Sequence, residues 1–157
     1  MDPLGRMYGF AGLFFSSNNI VSEDSLMEHD NRIKSEQGLC MLEQVRLICG
    51  SLPETEEIID GFGHTTFKVK GKSFIIMGEN EDGPGLSFKS DRENQEFLLL
   101  QGRFVKTPYI GHHGWVSTRK DVPFDWAELG ELLKEAYLRA APKRLVKELR
   151  PEADFDR

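Results

Sequence analysis

The chain has 157 residues, of which 39% are hydrophobic and 29% charged, and its formal net charge is −6. This length suits one domain with a single core, because such a chain buries about two-thirds of its unfolded surface. Two cysteines are too few for a disulfide scaffold, and no segment reaches the roughly 20 apolar residues of a membrane-spanning helix. The residues before the short apolar run at 8–15 include only one basic residue, Arg6, so they make a poor secretory signal. A cytoplasmic protein without a membrane partner is therefore expected.

The charge is distributed unevenly along the chain. Residues 1–63 carry eleven acids and four bases, residues 64–120 carry nine bases and six acids, and residues 121–157 carry nine acids and seven bases. The middle of the chain is therefore basic inside an acidic protein. The overall charge argues against a protein that simply coats nucleic acid, but it does not exclude a local basic surface that binds it.

The first predicted elements are a helix and a hairpin. Residues 1–35 lack a sustained hydrophobic period and are predicted to be a poorly ordered extension. From residue 37 a helix is indicated by apolar residues at helical spacing, namely Met41, Leu42, Val45, Ile48 and Cys49. The run 51–54 has the form of a capping box and predicts a short helical turn through Ile58 and Ile59. Residues 64–69 and 72–77 are typical of strands joined by a tight turn at Lys70-Gly71.

The second half of the chain alternates between strands and helices. A third strand is predicted at 86–89, and a second capping box at 90–93 begins a helix that stops at Gly102. Another strand follows at 115–118. The clearest helix begins at Asp125, and its apolar stripe is Trp126, Leu129, Leu133, Ala136, Tyr137 and Ala140. Pro142 begins a last short helix. This order predicts an α+β fold, an antiparallel sheet with helices packed on one face.

Three blocks of sequence resemble the MmcQ/YjbR family. They are GHTTFKVKGKSF at 63–74, LSFK at 86–89 and PYIGHHGWV at 108–116, in the family's order. The resemblance implies one MmcQ/YjbR-like domain over residues 36–150, with a tail at 151–157, and a fold like that of bacterial frataxin, CyaY. It also implies DNA binding, in which two strand-loop projections act as wings. Glu54 departs from the pattern, because the family usually has a glycine there, and so does Ala136, where a serine is frequent.

The basic residues of the middle segment form the first candidate site. Nucleic acid is bound when lysine and arginine side chains on one surface neutralise phosphates. The residues selected are Lys68, Lys70 and Lys72 on the first hairpin, Lys89 on the third strand, and Arg119 after the fourth. They favour a non-catalytic DNA-binding protein that contacts phosphates through a hairpin wing. Lysines that keep exposed strands from aggregating would give the same pattern, so both interpretations stay open.

A second candidate site consists of polar and aromatic residues. His64 and Trp115 each begin a predicted strand, so both are expected at one end of the sheet. The full set is His64, Lys89, Tyr109, His113 and Trp115. Together these residues would line a pocket for a small anionic or aromatic ligand, or for a protein partner. Alternatively, the aromatics belong to the core with satisfied polar tips and the histidines are solvated loop residues.

Motifs for catalysis or metal binding are missing from the sequence. It contains no nucleophile elbow, dinucleotide-binding loop or zinc-protease signature. The adjacent pair His112-His113 lacks a second ligand pair at zinc-site spacing. We therefore predict no catalytic residue, no metal site and no cofactor.

Overall fold

The computed structural model describes residues 30–150, which contain four α-helices and six β-strands. The helices are α1 (Glu36–Cys49), α2 (Arg92–Leu100), α3 (Trp126–Ala140) and α4 (Lys143–Leu149). The strands are β1 (Thr55–Ile59), β2 (Thr65–Val69), β3 (Lys72–Asn80), β4 (Gly83–Phe88), β5 (Phe104–Lys106) and β6 (Val116–Thr118). A single 3₁₀ turn, Gly111–His113, lies between β5 and β6.

The six strands form one antiparallel sheet in the order β1-β2-β3-β4-β6-β5. The β2–β3 turn, the end of β4 and the connection from β5 to β6 all lie at one end of this sheet, which we call the hairpin end. At the opposite end, which we call the far end, β2 begins and β3 and β6 finish. Two candidate residues can meet only if the strands place them at the same end of the sheet.

The helices cover one face of the sheet and build the core against it. Buried residues of all four helices join one hydrophobic cluster with the inward residues of the strands. The pairing of β2 with β3 shifts register between Phe67 and Lys68. This irregularity leaves two consecutive β3 residues, Phe74 and Ile75, buried in the core. The Phe74 ring packs edge-on against Tyr137, with centroids 5.5 Å apart. The predicted α+β fold with helices on one face is confirmed, whereas the likeness to frataxin stays a prediction.

Strand β1 corrects the sequence analysis. The predicted helical turn through Ile58 and Ile59 is wrong, because residues 55–59 pair antiparallel with residues 65–69 of β2. Instead of capping a helix, the Ser51 hydroxyl donates to the carbonyl of Ile48, 3.0 Å away. Three of the five β1 residues are β-branched and suit a strand, and pairing with β2 supplies backbone hydrogen bonds that a one-turn helix would lack.

The predicted helices are otherwise present, each with a defined start. Ser35 caps α1 by accepting from the N–H of Gly38, and Asp91, rather than Ser90, caps α2. The α3 stripe faces the core as predicted, with Trp126 only partly buried. Residues 1–29 of the predicted extension and the tail at 151–157 lie outside the described residues. Residues 30–35 run beside β3, where the Glu79 N–H donates to the Asn31 carbonyl.

Candidate nucleic-acid interface

The turn between β2 and β3 projects lysine side chains from the hairpin end. Lys70 has φ 50° and Gly71 has φ 79°, and two successive positive φ angles are typical of the type I′ turn that suits two-residue hairpins. Lys70 and Lys72 are exposed beside this turn. Lys68 lies two residues before Lys70 on β2 and points to the face opposite the helices. Its cross-strand neighbour on β1 is Glu56.

Three further cations lie at the same end, and we call the whole group the basic end. Lys89 directly follows β4, and Lys106 finishes β5 opposite the start of β6. Arg144 of α4 forms an ion pair with Glu54, which also pairs with Lys70 of the hairpin. Within residues 30–150 no carboxylate forms an ion pair with four of these lysines. The complete basic end is Lys68, Lys70, Lys72, Lys89, Lys106 and Arg144, of which Lys68, Lys72, Lys89 and Lys106 are the four without an ion pair.

Glu54 holds the other two cations together. Its carboxylate oxygens lie 3.0 Å from the ammonium of Lys70 and 3.0 Å from the guanidinium of Arg144. Hydrogen bonds from Arg144 and then Lys70 lower the pKa of Glu54 to about 2. The φ of 60° at this residue is one that glycine adopts most easily.

Arg119 does not belong to this surface. It follows β6, which runs from the hairpin end to the far end, so its guanidinium lies at the opposite end from the lysines. There it binds both carboxylate oxygens of Asp121, at 3.0 and 2.6 Å, and donates to the Gly102 carbonyl. The expectation that Arg119 supports the hairpin lysines is therefore wrong, because the sequence does not show which way β6 runs.

The polar and aromatic set is also divided between the two ends. β2 and β6 run in opposite directions, so His64 lies at the far end and Trp115 at the hairpin end. The expectation that these two residues meet is wrong. Lys89, Tyr109, His113 and Trp115 do share the hairpin end, beside the lysines. Whether either set binds a ligand stays a prediction.

The connection from β5 to β6 forms a second projection at the hairpin end. Buried Gln95 of α2 fixes its base by donating from Nε2 to the carbonyls of Gly111 and Trp115, both at 2.8 Å. Trp115 is only 7% exposed, whereas Tyr109 is 51% exposed, so the interpretation of Tyr109 as a core aromatic is wrong. The exposed rings of His112 and His113 lie close together, with centroids 3.9 Å apart and an angle of 42° between their planes.

The candidate set selected from the sequence leaves out three residues that matter at this end: Gln95, Lys106 and Arg144. Lys106 belongs to the basic middle segment and Arg144 does not, and only the fold brings both to the hairpin. Gln95 does leave a signal, because it stands at a position of α2 that faces inward together with Leu98. A polar residue there requires hydrogen-bond partners within the protein.

Between residues 30 and 150, no three histidine, cysteine or acidic side chains converge to hold a metal ion. In the same range no helix is both long and apolar enough to cross a membrane.

Similarity to known proteins agrees with this fold. A family model described as YjbR matches residues 50–139. The crystal structure of Deinococcus radiodurans protein DR2400, from domain family DUF419, is similar with a TM-score of 0.56 and 27% sequence identity. The match covers 69% of this chain and 86% of that one. No curated protein matches the sequence.

Proposed function

The chain belongs to the YjbR family, and we propose that it binds double-stranded DNA through the basic end of its sheet. The observation that carries the proposal is the convergence of six cations at one end of an acidic protein, four of them lysines without an ion pair in residues 30–150. Such charges are available for phosphates, and phosphate contacts supply most of the affinity in non-specific DNA binding.

The shape of this end suits a duplex. The β2–β3 hairpin and the β5–β6 connection project on either side of β4, which Lys89 directly follows. Strands β3 and β6 are two strand spacings apart, or roughly 10 Å. The DNA major groove is about 12 Å wide, so the two projections are spaced to contact phosphates along one groove.

Single-stranded nucleic acid is less well suited to this surface. Proteins that bind single strands stack successive bases on exposed aromatic rings. In the described structure Trp115 is buried, and Tyr109 is the exposed aromatic residue of the second projection. Tyr109, His112 and His113 instead offer donors beside the lysines, and such donors orient a protein on a phosphate backbone.

We expect the wild-type protein to bind short duplex DNA with an affinity that falls steeply as salt rises. Replacing Lys68, Lys70 and Lys72 together with glutamine should weaken binding by about ten- to a hundredfold at low salt. The slope of log affinity against log salt should become shallower by about 2 to 3, because binding releases roughly one counterion fewer for each lysine–phosphate contact that is lost. Fluorescence anisotropy with labelled duplex and single-stranded DNA measures both quantities.

A matched control is available away from the basic end. Arg32 and Lys34 lie at the far end and Lys134 on α3, so their triple glutamine variant removes the same charge from a different place. This variant should bind DNA within about twofold of the wild type, since distant exposed charges are screened. Equal losses in the two triple variants, or no binding by wild-type protein at low salt, would contradict the proposal.

A single carboxylate tests the same surface from the opposite direction. Glu54→Gln should strengthen DNA binding by about two- to fivefold, because Lys70 and Arg144 no longer share a negative charge. Folding lowers the pKa of Glu54 from 4.5 to about 2, so its contribution to stability is present above pH 4.5 and is lost as the pH falls towards 2. Acid titration of the thermal midpoint should therefore be flatter in the variant, and unchanged affinity together with an unchanged titration would contradict this role.

A further inference from the structure

A cleft of about 360 Å³ lies on the face of the sheet opposite the helices. Its floor includes the cross-strand pair Gly78 and Gly85. Two side chains cover the places where these glycines lack a Cβ: the His64 ring would lie 2.8 Å from a Cβ at Gly78, and the Lys120 chain 3.0 Å from one at Gly85. The glycines therefore let a histidine and a lysine lie close against the sheet at the edge of a cavity.

A row of three hydroxyl groups crosses the same face. Ser117 Oγ lies 2.7 Å from Ser87 Oγ and 2.8 Å from Thr107 Oγ1. Three hydroxyls have three protons, but the two contacts within the row use only two of them. The described part of the chain offers this row no other hydrogen-bond acceptor. One donor therefore remains, although Ser87 is only 7% and Thr107 only 2% exposed.

Lys120 provides a second spare donor at the exposed rim of the same cleft. Its ammonium donates to Asn80 Oδ1 at 2.8 Å and to the Gly83 carbonyl at 2.9 Å, both of which are uncharged. An ammonium has three N–H groups, so one is left over. No carboxylate of residues 30–150 forms an ion pair with Lys120, and its positive charge is not cancelled by direct contact. Burial lowers the pKa of Lys120, which nearby Asp82 and Glu79 partly offset.

We propose that this cleft binds a small monocarboxylate with an apolar body. Lys120 donates to the carboxylate, Ser87 and Ser117 of the hydroxyl row line the same cleft, and Ile76, Val105 and Pro108 contact the apolar part. The volume lies in the range of small-molecule sites, which are largely apolar with a few placed polar groups. This site does not rest on the proposed DNA binding, because it uses none of the residues of the basic end.

The charges around the cleft decide between a carboxylate and a phosphate. Three acids line it, namely Glu79, Asp82 and Asp121, against the cations Lys120 and Arg119. Arg119 is already paired with both oxygens of Asp121. With Arg119 and Asp121 paired, Glu79 and Asp82 remain beside the single cation Lys120, so a ligand with one negative charge meets less repulsion there than a phosphate dianion.

The test compares carboxylates with neutral molecules of the same shape on the full-length protein. Benzoate and hexanoate should shift the backbone amide NMR signals of Gly78, Gly85, Ser87 and Ser117 at millimolar concentration, and benzamide and hexanamide should shift them much less. Lys120→Met should weaken carboxylate binding by about tenfold or more, as expected for loss of a charge-assisted hydrogen bond. Lys134→Met removes an equally charged lysine from α3, on the other face of the sheet, and should leave binding unchanged.

A second variant tests the site without touching the ammonium. Val105 is 42% exposed on an edge strand, so Val105→Trp should fold and should narrow the cleft. It should abolish the shifts that hexanoate causes in wild-type protein. The proposal is overturned if none of the four probes shifts these amides. It is equally overturned if acids and amides bind alike and Lys120→Met makes no difference.

Discussion

Phe74→Ala should lower the free energy of unfolding by about 3–5 kcal/mol, the range for a buried phenylalanine replaced by alanine. Phe74 is 0% exposed and packs edge-on against Tyr137, whose hydroxyl donates to the Pro53 carbonyl at 2.7 Å. Removing the ring leaves a cavity between β3 and α3. It also removes the ring contact that supports Tyr137, whose hydroxyl binds the segment leading into β1.

Phe97 supplies the control for this substitution. It has the same side chain on α2 but is 63% exposed, so Phe97→Ala should change the free energy of unfolding by less than about 0.5 kcal/mol. Urea denaturation followed by far-ultraviolet circular dichroism measures both variants. Similar losses in the two proteins would mean that Phe74 does not occupy the core position described above.

The parts of the fold that follow from local sequence are those with a strong periodic signal. The α3 stripe repeats over fifteen residues, and the β2–β3 hairpin is fixed by alternation and by a turn that needs a glycine at position 71. Both are determined by neighbours in the chain, so one sequence suffices to predict them. The prediction of α2 also holds, with its start displaced by one residue to the Asp91 cap.

What the sequence could not supply is the direction and pairing of strands. β1 became a strand because β2 offered it a partner, which local capping signals around Ser51 do not show. The places of His64 and Arg119 depend on which way β2 and β6 run, and an error of direction moves a residue the whole length of a strand. The three hairpin lysines do lie together, because they are only two residues apart in the chain and their placement needs no knowledge of strand pairing.

The structure thus separates two kinds of surface that the sequence analysis had mixed. The hairpin end gathers lysines from β2, β3 and β5, from the β2–β3 turn and from the residue after β4, and these charges suit a polyanion. The open face and far end place Lys120 and buried hydroxyls beside acids, which suits one small ligand of low charge. Each surface has its own variants, so the two proposed functions can be tested separately.

Gly114→Ala should be the most damaging glycine substitution near the basic end. Gly114 has φ 95°, and a Cβ there would lie 2.6 Å from the Ser90 carbonyl oxygen and 2.9 Å from the Asp91 Cα. Both are backbone atoms at the start of α2, so neither can turn aside as a flexible side chain would. We expect a loss of about 3 kcal/mol or more, from the strained φ and the overlap together.

Gly102→Ala separates the two contributions. Gly102 has φ 80°, but a Cβ there would meet nothing within 4 Å, so only the conformational strain of about 1 to 2 kcal/mol should appear. The excess cost at Gly114, measured by urea denaturation, is then the overlap with Ser90 and Asp91. Because this contact packs the start of β6 against the residues that follow Lys89, a large excess indicates that the two halves of the basic end are held rigidly together. Equal costs at the two glycines would show that the junction yields, and that the β5–β6 projection moves independently of Lys89.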